Sequence, residues 1–296
     1  MKILLITGSS GFIGQNFLNF INLNYSNKYN IVLLSSSKNT KFITINHKDY
    51  KFTKEDFINQ NIKRIDIVLH LGAFTPKSSD KSNNLEKSNE NIINTKYLMD
   101  NLPNIPEKFI FASTLDVYGQ IDTKIDESSK AIPLTMYGWS KLYCEKMIEN
   151  WADKHSVICQ VLRFGHIYGK GENAYKKIIP VTIQKLKDGE NPQIFGKGTE
   201  KRSFLHVDDV CNLIMESINL DKYEGVINLC SSQAHSIKEI IAILLEISND
   251  KNLQIDYVES QNKPIDLTFN TDKMNLLLGY ETVDIEKGLR EEYYAV

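Results

Sequence analysis

The chain has 296 residues, a formal net charge of −2 and 42% hydrophobic residues, enough for one large α/β domain with a lobe or for two smaller domains. Basic and acidic residues nearly cancel and the lysines are scattered, which excludes the charge pattern of a nucleic-acid or anionic-membrane binder and favours a small-molecule partner. No apolar run approaches the roughly 20 residues that span a bilayer, and the apolar start lacks the cleavage site of a signal peptide. We therefore predict a soluble, cytoplasmic protein.

The cysteines support the same compartment. They lie far apart, without C-x-x-C spacing and without clustered histidines, at Cys144, Cys159, Cys211 and Cys230. This pattern indicates neither a zinc site nor a disulfide framework, and it is typical of a reducing cytoplasm. No metal is expected.

In the first half of the chain, short apolar runs alternate with segments of helical periodicity. Strands are predicted at residues 3–7, 31–34, 65–71, 109–112 and 157–162, and helices from residue 12, at 85–101 and at 135–153. Such alternation predicts an α/β fold, a doubly wound parallel sheet covered by helices on both faces.

After Gly169 the pattern changes, because glycines and prolines punctuate short strand-like pieces. We predict a first domain over residues 1–169 and a smaller mixed α/β lobe over 170–296. Residues 202–207 and 226–229 are expected to return to the sheet, within a returning region of about 202–230. Helices are expected at 237–247 and 284–293.

The segment TGSSGFIG lies between the first strand and its helix, where a phosphate-binding turn belongs. Gly8 permits the tight turn, Gly11 lets the backbone approach a pyrophosphate, and Gly14 allows the helix and the strand to pack closely. The N-terminus of the helix adds unpaired N–H groups and a partial positive charge. The turn therefore predicts a dinucleotide cofactor.

The end of the second strand decides which dinucleotide is preferred. An acidic side chain about 20 residues after the turn would bind the adenosine ribose of NAD. Here the segment contains Ser35, Ser36 and Lys38 and no carboxylate. Hydroxyls and a lysine suit a 2′-phosphate, so NADP is the preferred prediction and NAD the alternative.

Tyr137 and Lys141 are four residues apart at the start of a predicted helix, which puts them on the same face. A phenol normally titrates near 10, and a neighbouring ammonium would favour the phenolate. Ser113 and Thr114 end the strand before this helix, at the edge where open parallel sheets bind ligands. A hydroxyl there can bind the reacting oxygen, so the group predicts acid/base and hydride-transfer chemistry.

Several segments, in this order, carry a resemblance to a known family over almost the whole chain. They are TGSSGFIG, HLGAF from His70, ENIINT around Asn91, FASTLDVYG from Phe111, YGWSK, LRFGHIYG from Leu162 and RSFLHVDDV from Arg202. The chain resembles the extended short-chain dehydrogenase/reductase superfamily, in its group of nucleotide-sugar epimerases and dehydratases.

The resemblance implies a Rossmann domain with a C-terminal substrate lobe, and an active triad of Thr114, Tyr137 and Lys141 supported by Asn91. Arg202 is implied at the substrate diphosphate, since a guanidinium binds phosphate oxygens in a bidentate manner, and Phe195 near the nucleotide base. Together, the residue patterns and the resemblance predict these cofactor contacts: Gly8, Ser10, Gly11, Phe12, Ile13, Gly14, Ser35, Ser36, Lys38, Leu71, Gly72, Ala73, Tyr137, Lys141 and Phe164. The predicted substrate contacts are Thr75, Asp116, His166, Lys177, Phe195, Arg202 and Lys263. A homodimer is also implied, through a four-helix bundle of the helices that contain Asn91 and Tyr137.

Departures from family patterns narrow the reaction. Where dTDP-glucose 4,6-dehydratases have an Asp-Glu pair, this chain has Leu115 and Asp116, which disfavours dehydration. Where GDP-fucose synthase has a cysteine and a histidine for epimerisation, the corresponding residues resemble Asp116 and Lys177. His166 replaces a usual asparagine, and it is either a ligand contact or a structural histidine.

Two reactions remain. One is the C4 reduction of a 4-keto nucleotide sugar, with or without a 6-deoxy group, in the synthesis of polysaccharide precursors. The other is C4 epimerisation with tightly bound NAD. The missing acidic residue at Ser35 favours the reductase. A cofactor-sensing protein without turnover is a third hypothesis, against which the intact triad argues.

Overall fold

The computed structural model describes residues 1–119, 124–260 and 264–295. In chain order, its strands are β1 (Lys2–Thr7), β2 (Tyr29–Ser35), β3 (Ile43–Asn46), β4 (Ile67–His70), β5 (Lys108–Thr114), β6 (Ile158–Phe164), β7 (His166–Tyr168), β8 (Gln193–Phe195), β9 (Lys201–Arg202), β10 (Phe204–His206), β11 (Val226–Leu229), β12 (His235–Ser236) and β13 (Asp256–Val258). Its helices are α1 (Phe12–Asn24), α2 (Lys54–Asn59), α3 (Leu85–Asn101), α4 (Met136–His155), α5 (Ile178–Lys187), α6 (Val207–Asn219), α7 (Ile237–Ser248), α8 (Asp272–Leu278) and α9 (Ile285–Ala295).

The central sheet of the described residues has seven strands in the order β11-β6-β5-β4-β1-β2-β3, all parallel. Its strands are apolar along their length because helices cover both faces, and Leu4, Leu5 and Ile6 of β1 are fully buried. Helices α1, α6 and α8 contribute to the core on one face and α2, α3 and α4 to the core on the other. The prediction of a doubly wound α/β fold is confirmed.

The order of the strands creates a crevice. The chain runs outward from β1 to β3 and then returns to β4, which pairs with the other side of β1. Connections therefore leave the carboxyl ends of β1 and β4 in opposite directions. A ligand site of an open α/β sheet lies at such a point.

A second core lies among α5, α7 and α9, where Ile183, Ile240 and Leu289 are fully buried. The expected return of residues 226–229 forms the edge strand β11, which pairs with β6. The expected return of residues 202–207 to the central sheet is wrong. Arg202 pairs with His235, and β10 pairs with β7, which lies outside the sheet after Gly165 ends the line of β6.

The four cysteines are free and buried. No helix in the described ranges is long and apolar enough to cross a membrane. The domain boundary at residues 169 and 170 stays a prediction.

Candidate active site

The glycine turn has the backbone geometry that its sequence predicts. Gly8 has a φ of 70°, and a Cβ there would lie 2.5 Å from the nitrogen of Gly72. A Cβ at Gly14 would lie 2.2 Å from the carbonyl oxygen of Gly8, so the helix and the turn touch backbone to backbone. Gly11 is the N-cap of α1 and carries no side chain that could cap it. The first N–H groups of α1, with Ser10, Phe12 and Ile13 around them, are thus suited to an anion.

A buried histidine fixes the other side of the crevice. The Gly72 N–H donates to Thr7 Oγ1 at 2.9 Å, and His70 bridges Thr7 Oγ1 (2.7 Å from Nδ1) and Thr95 Oγ1 (3.0 Å from Nε2). Burial, together with the charge of Lys141, lowers the pKa of His70 to about 3, so the ring is neutral. Leu71 and Ala73, on either side of Gly72, are half-buried at the same edge.

At the end of β2, Ser35 is buried and its Oγ accepts a hydrogen bond from the Ser37 N–H at 3.1 Å. Ser36 and Lys38 follow and are exposed. Phe164, at the carboxyl end of β6, is buried in the core beneath the same edge of the sheet. These positions leave Ser36 and Lys38 as the accessible polar side chains of the predicted ribose-phosphate site.

Tyr137 and Lys141 lie in the first turns of α4, whose N-cap Thr135 accepts a hydrogen bond from the Gly138 N–H at 3.1 Å. Tyr137 is 5% exposed. Burial raises its pKa and the charge of Asp116 raises it further, while hydrogen bonds with Thr75 and Thr114 act in the opposite direction. The sequence argument expected a phenolate, whereas the structure favours the protonated phenol, held between two threonine hydroxyls.

Lys141 is hydrogen-bonded to the main chain. This side chain is 3% exposed, and its Nζ donates to the carbonyl oxygen of Ala112 at 2.7 Å. Burial lowers its pKa to about 8. A buried ammonium needs a hydrogen-bond acceptor, and here that acceptor is the main chain of β5.

Asn91 connects the loop after β4 to α4. Its Oδ1 accepts from the Phe74 N–H at 2.7 Å, and its Nδ2 donates to the Phe74 carbonyl at 3.2 Å and to Ser140 Oγ at 3.1 Å. This pairing holds the backbone just before Thr75, the exposed residue that contacts Tyr137. The structure thus brings together Asn91, Thr75 and Tyr137.

Of the two hydroxyls that end β5, only one reaches Tyr137. Ser113 donates instead to the carboxylate of Glu145, which Arg163 also binds through Nε (2.9 Å) and Nη2 (2.7 Å). Thr114 makes the hydrogen bond with Tyr137. The sequence-based choice of Thr114 as the triad member stays a prediction. The hydrogen bond between Thr114 and Tyr137 is consistent with it.

A group of charged side chains lies near the same edge of the sheet. Asp116 is an exposed residue. Partial desolvation of its carboxyl by the surrounding protein nevertheless raises its pKa, and the charge of Lys177 lowers it. Burial, together with the charges of Arg202 and Lys177, lowers the pKa of His166 to about 3. Arg202 Nη1 donates to the carbonyls of Lys201 (2.8 Å) and Ile265 (2.6 Å). Asp116, His166, Lys177 and Arg202 are therefore electrostatic neighbours.

The remaining predicted substrate residues lie at the lobe. Phe195 is 64% exposed at the end of β8, next to the parallel strand β13. Tyr257 of β13 pairs with Ile194, the residue before Phe195; it is 54% exposed and lines a cavity with Gly196 and Ser260. The sequence reasoning did not select Tyr257. Lys263 lies outside the described residues.

Comparisons with known proteins identify the family of this chain. The chain belongs to the NAD dependent epimerase/dehydratase family, whose model matches residues 4–230. A dTDP-D-glucose 4,6-dehydratase from Bos taurus is 28% identical over 281 residues, covering 88% of this chain and 78% of the relative. The resemblance inferred from the sequence motifs is confirmed.

Two solved structures share the fold. One is the UDP-glucuronic acid 4-epimerase from Bacillus cereus in complex with NAD, with a TM-score of 0.84, 24% identity and coverage of 99% of this chain and 98% of that one. The other is RMD from Pseudomonas aeruginosa complexed with NADPH, with a TM-score of 0.84, 21% identity and coverage of 100% and 98%. Relatives with this fold thus bind either cofactor.

Proposed function

We propose that this protein is an NADP-dependent oxidoreductase that reduces the C4 carbonyl of a nucleotide-activated 4-keto sugar. The observation that carries the proposal is the buried Tyr137 phenol, hydrogen-bonded with Thr75 and Thr114. Reduction of a carbonyl needs a proton donor at the oxygen, and burial favours the protonated form of this phenol.

Gly8, Gly14 and Gly72 allow the turn, the helix and the loop after β4 to pack backbone to backbone, since a Cβ at any of them would clash with neighbouring protein atoms, and such a glycine turn suits a dinucleotide pyrophosphate. The cofactor, when bound, supplies the hydride. Its pyrophosphate would lie at the start of α1. Ser36 and Lys38 would bind the 2′-phosphate, with Ser35 below them, and Lys141 would bind the nicotinamide ribose.

In the proposed reaction, Tyr137 donates its proton to the C4 oxygen while Thr114 and Thr75 hold the phenol and the substrate oxygen by hydrogen bonds. Arg202, His166 and Lys177 would bind the diphosphate and the polar groups of the sugar, and Phe195 would pack near the base. Leu115 is 7% exposed and its side chain contacts the position of Gly165, so the cleft has a single carboxylate, Asp116, at this segment. This supports reduction over the dehydration that the bovine relative is named for.

The test is a stoichiometric assay of NADPH oxidation with a panel of 4-keto nucleotide sugars. We expect one NADPH consumed per sugar reduced. Tyr137→Phe should lower kcat by about 10²–10⁴-fold, the usual contribution of a proton donor, with the Kd of NADPH unchanged. Full activity in that variant would refute the mechanism.

A second candidate is an NAD-dependent nucleotide-sugar 4-epimerase. It is favoured by one observation at the cofactor site, the hydrogen bond that already engages Ser35 with the Ser37 N–H, which weakens the case for a 2′-phosphate there. Interconversion of C4 epimers with no net NADPH consumption, by protein that retains NAD on purification, would establish the epimerase.

We also propose that the enzyme is a homodimer through α3 and α4. Met136, Trp139 and Tyr143 recur at helical spacing on α4 and are 40%, 48% and 59% exposed, and Leu85 of α3 lines the groove beside them. Apolar side chains on two adjacent helices suit a self-complementary four-helix interface. Trp139→Glu should halve the sedimenting mass, whereas the same change at Leu276, an exposed residue of α8, should not. A wild-type monomer would refute the interface.

A further inference from the structure

Three side chains with unpaired oxygen atoms are buried together beside Lys177. Glu172, Glu292 and Tyr168 are each 1% exposed. Within the described residues, Glu172 Oε2, both carboxylate oxygens of Glu292 and the Tyr168 hydroxyl have no hydrogen-bond partner. Buried polar atoms are almost always paired, so this group calls for a physical role.

Glu172 connects the group to the substrate region. It follows Gly171, whose φ of 98° turns the chain after β7, and its Oε1 lies 3.0 Å from Lys177 Nζ. Lys177 is 41% exposed at its side chain, and its charge reaches both Asp116 and His166. One end of this ion pair is therefore in the protein interior and the other faces the cleft.

The segment that carries Glu172 is held on both sides. Asn16 of α1 donates through Nδ2 to the carbonyl of Lys170 at 2.9 Å, and a Cβ at Gly171 would lie 3.5 Å from the ring of Phe12. On the other side, Gly288 of α9 packs against the Tyr168 hydroxyl so closely that an added Cβ would lie 2.1 Å from it. The segment joins the start of α1 to α9.

Glu292 lies on α9, where the charges of Glu172 and Lys177 both affect its pKa. Burial and the charge of Glu172 raise its pKa to about 8, against the opposing effect of the charge of Lys177. Around Tyr168 lie further acidic groups, namely Asp209, Asp284 and Glu291. One ammonium cannot neutralise two buried carboxylates, so the second carboxyl stays protonated near neutral pH.

We propose that Glu172 and Glu292 are positioning residues for Lys177, Glu172 as the charged partner that holds the ammonium at the cleft and Glu292 as an uncharged acid that leaves this ion pair undisturbed. When Glu292 ionises, a second negative charge competes for the ammonium and draws it toward the interior. The role of Lys177 in binding a nucleotide sugar rests on the proposed function. The positioning of Lys177 by Glu172 does not rest on that function.

The first experiment tests the positioning without substrate. The full-length protein is labelled with acetic anhydride between pH 7 and 9, and the labelling of Lys177 is compared by peptide mass spectrometry with that of the exposed Lys251 of the same chain. Glu172→Gln should raise Lys177 labelling at pH 7 by roughly two- to fivefold, the effect of losing a partly exposed ion pair. Glu292→Gln, an isosteric mimic of the uncharged acid, should match the wild type at pH 7.

The wild-type ratio of Lys177 to Lys251 labelling should change through pH 8, and in Glu292→Gln it should stay flat. A ratio that changes equally in both proteins, or a Glu172→Gln ratio like the wild type, would overturn the proposal. If Glu172→Gln fails to fold by circular dichroism, Glu172→Asp, which shortens the reach to Lys177, should show the same increase.

The second experiment uses the nucleotide sugar that the NADPH assay identifies. Glu172→Gln and Lys177→Met should raise KM by a similar factor with little change in kcat, and the double variant should be no worse than either, because coupled residues are not additive. Additive effects would contradict the proposal. If no nucleotide sugar is turned over but the labelling results hold, the proposed function fails and the positioning of Lys177 stands.

Discussion

Two buried glutamates support opposite sides of the candidate active site, and their surroundings differ. Glu145 is a fully buried residue of α4, and both of its oxygens are paired, with Ser113 and with two nitrogens of Arg163. Glu292 is buried to the same degree, yet neither oxygen has a partner within the described chain. Both carboxyls are inaccessible, but one is neutralised by a guanidinium and the other by its own proton.

The difference separates a fixed part of the site from an adjustable one. Tyr137, Lys141 and Glu145 are spaced by four residues on one face of α4, so the pair of Glu145 with Arg163 of β6 fastens the proposed proton donor to the sheet. Lys177 is held instead by the Ile167 carbonyl at 3.3 Å and by Glu172, whose other oxygen is unpaired in the described chain. Proton transfer needs fixed geometry, whereas recognition of a sugar tolerates adjustment.

Removing the charge of Glu145 should produce the largest effect. Glu145→Gln leaves the Arg163 guanidinium buried without its counter-charge, and we expect a loss of about 3–5 kcal/mol in the free energy of unfolding. Urea denaturation measures it. Glu90→Gln, a partly exposed control on α3, should change stability by about 0.5 kcal/mol or less. A loss under about 1 kcal/mol for Glu145→Gln would mean that the paired cluster is not a structural anchor.

The hydroxyl that completes this cluster should matter less. Ser113→Ala removes a hydrogen bond to a buried carboxylate, and about 1.5–3 kcal/mol of stability should be lost. Ser88 is a matched control, because it is 2% exposed and its Oγ is unpaired within the described residues. Ser88→Ala should be neutral or stabilising. Equal effects of the two substitutions would show that pairing does not distinguish these hydroxyls.

Much of the catalytic side could be predicted because its signals are local. Three glycines between a strand and a helix set the turn, and the four-residue spacing of Tyr137 and Lys141 puts both on one helix face. The choice between Ser113 and Thr114 was also available, since consecutive residues of a strand face opposite sides of the sheet. Only one of the two could reach the cleft.

The other side could not be predicted in the same way. Glu172 and Glu292 are far apart in the chain. The sequence around neither residue indicates that α9 brings the two together. The edge strand β3 (Ile43–Asn46) was missed because its four residues alternate between apolar and polar. They form no continuous apolar run of the kind from which the other strands were predicted. Residues 202–207 were assigned to the central sheet because an apolar run does not show which strand it pairs with.

The smallest expected effect is a pH dependence of stability caused by Glu292. It tests directly whether the two buried glutamates differ in charge. The pKa of Glu292 is about 8 in the folded protein and 4.5 as the ordinary value. Its contribution to stability is therefore fully present below pH 4.5 and is lost as the pH rises through 8, because the folded state holds the proton longer than the unfolded state. Between pH 5.5 and 8.5, the wild type should lose about 1 kcal/mol or more relative to Glu292→Gln.

Thermal unfolding of both proteins across this pH range measures the difference. The melting temperatures should be similar at pH 5.5, and Glu292→Gln should be the more stable protein at pH 8.5. Lys141 has a lowered pKa and contributes in the opposite direction, with stability rising above pH 8, but it is common to both proteins and cancels. A constant difference across the range would mean that Glu292 is ionised throughout and that the two buried glutamates do not differ in charge.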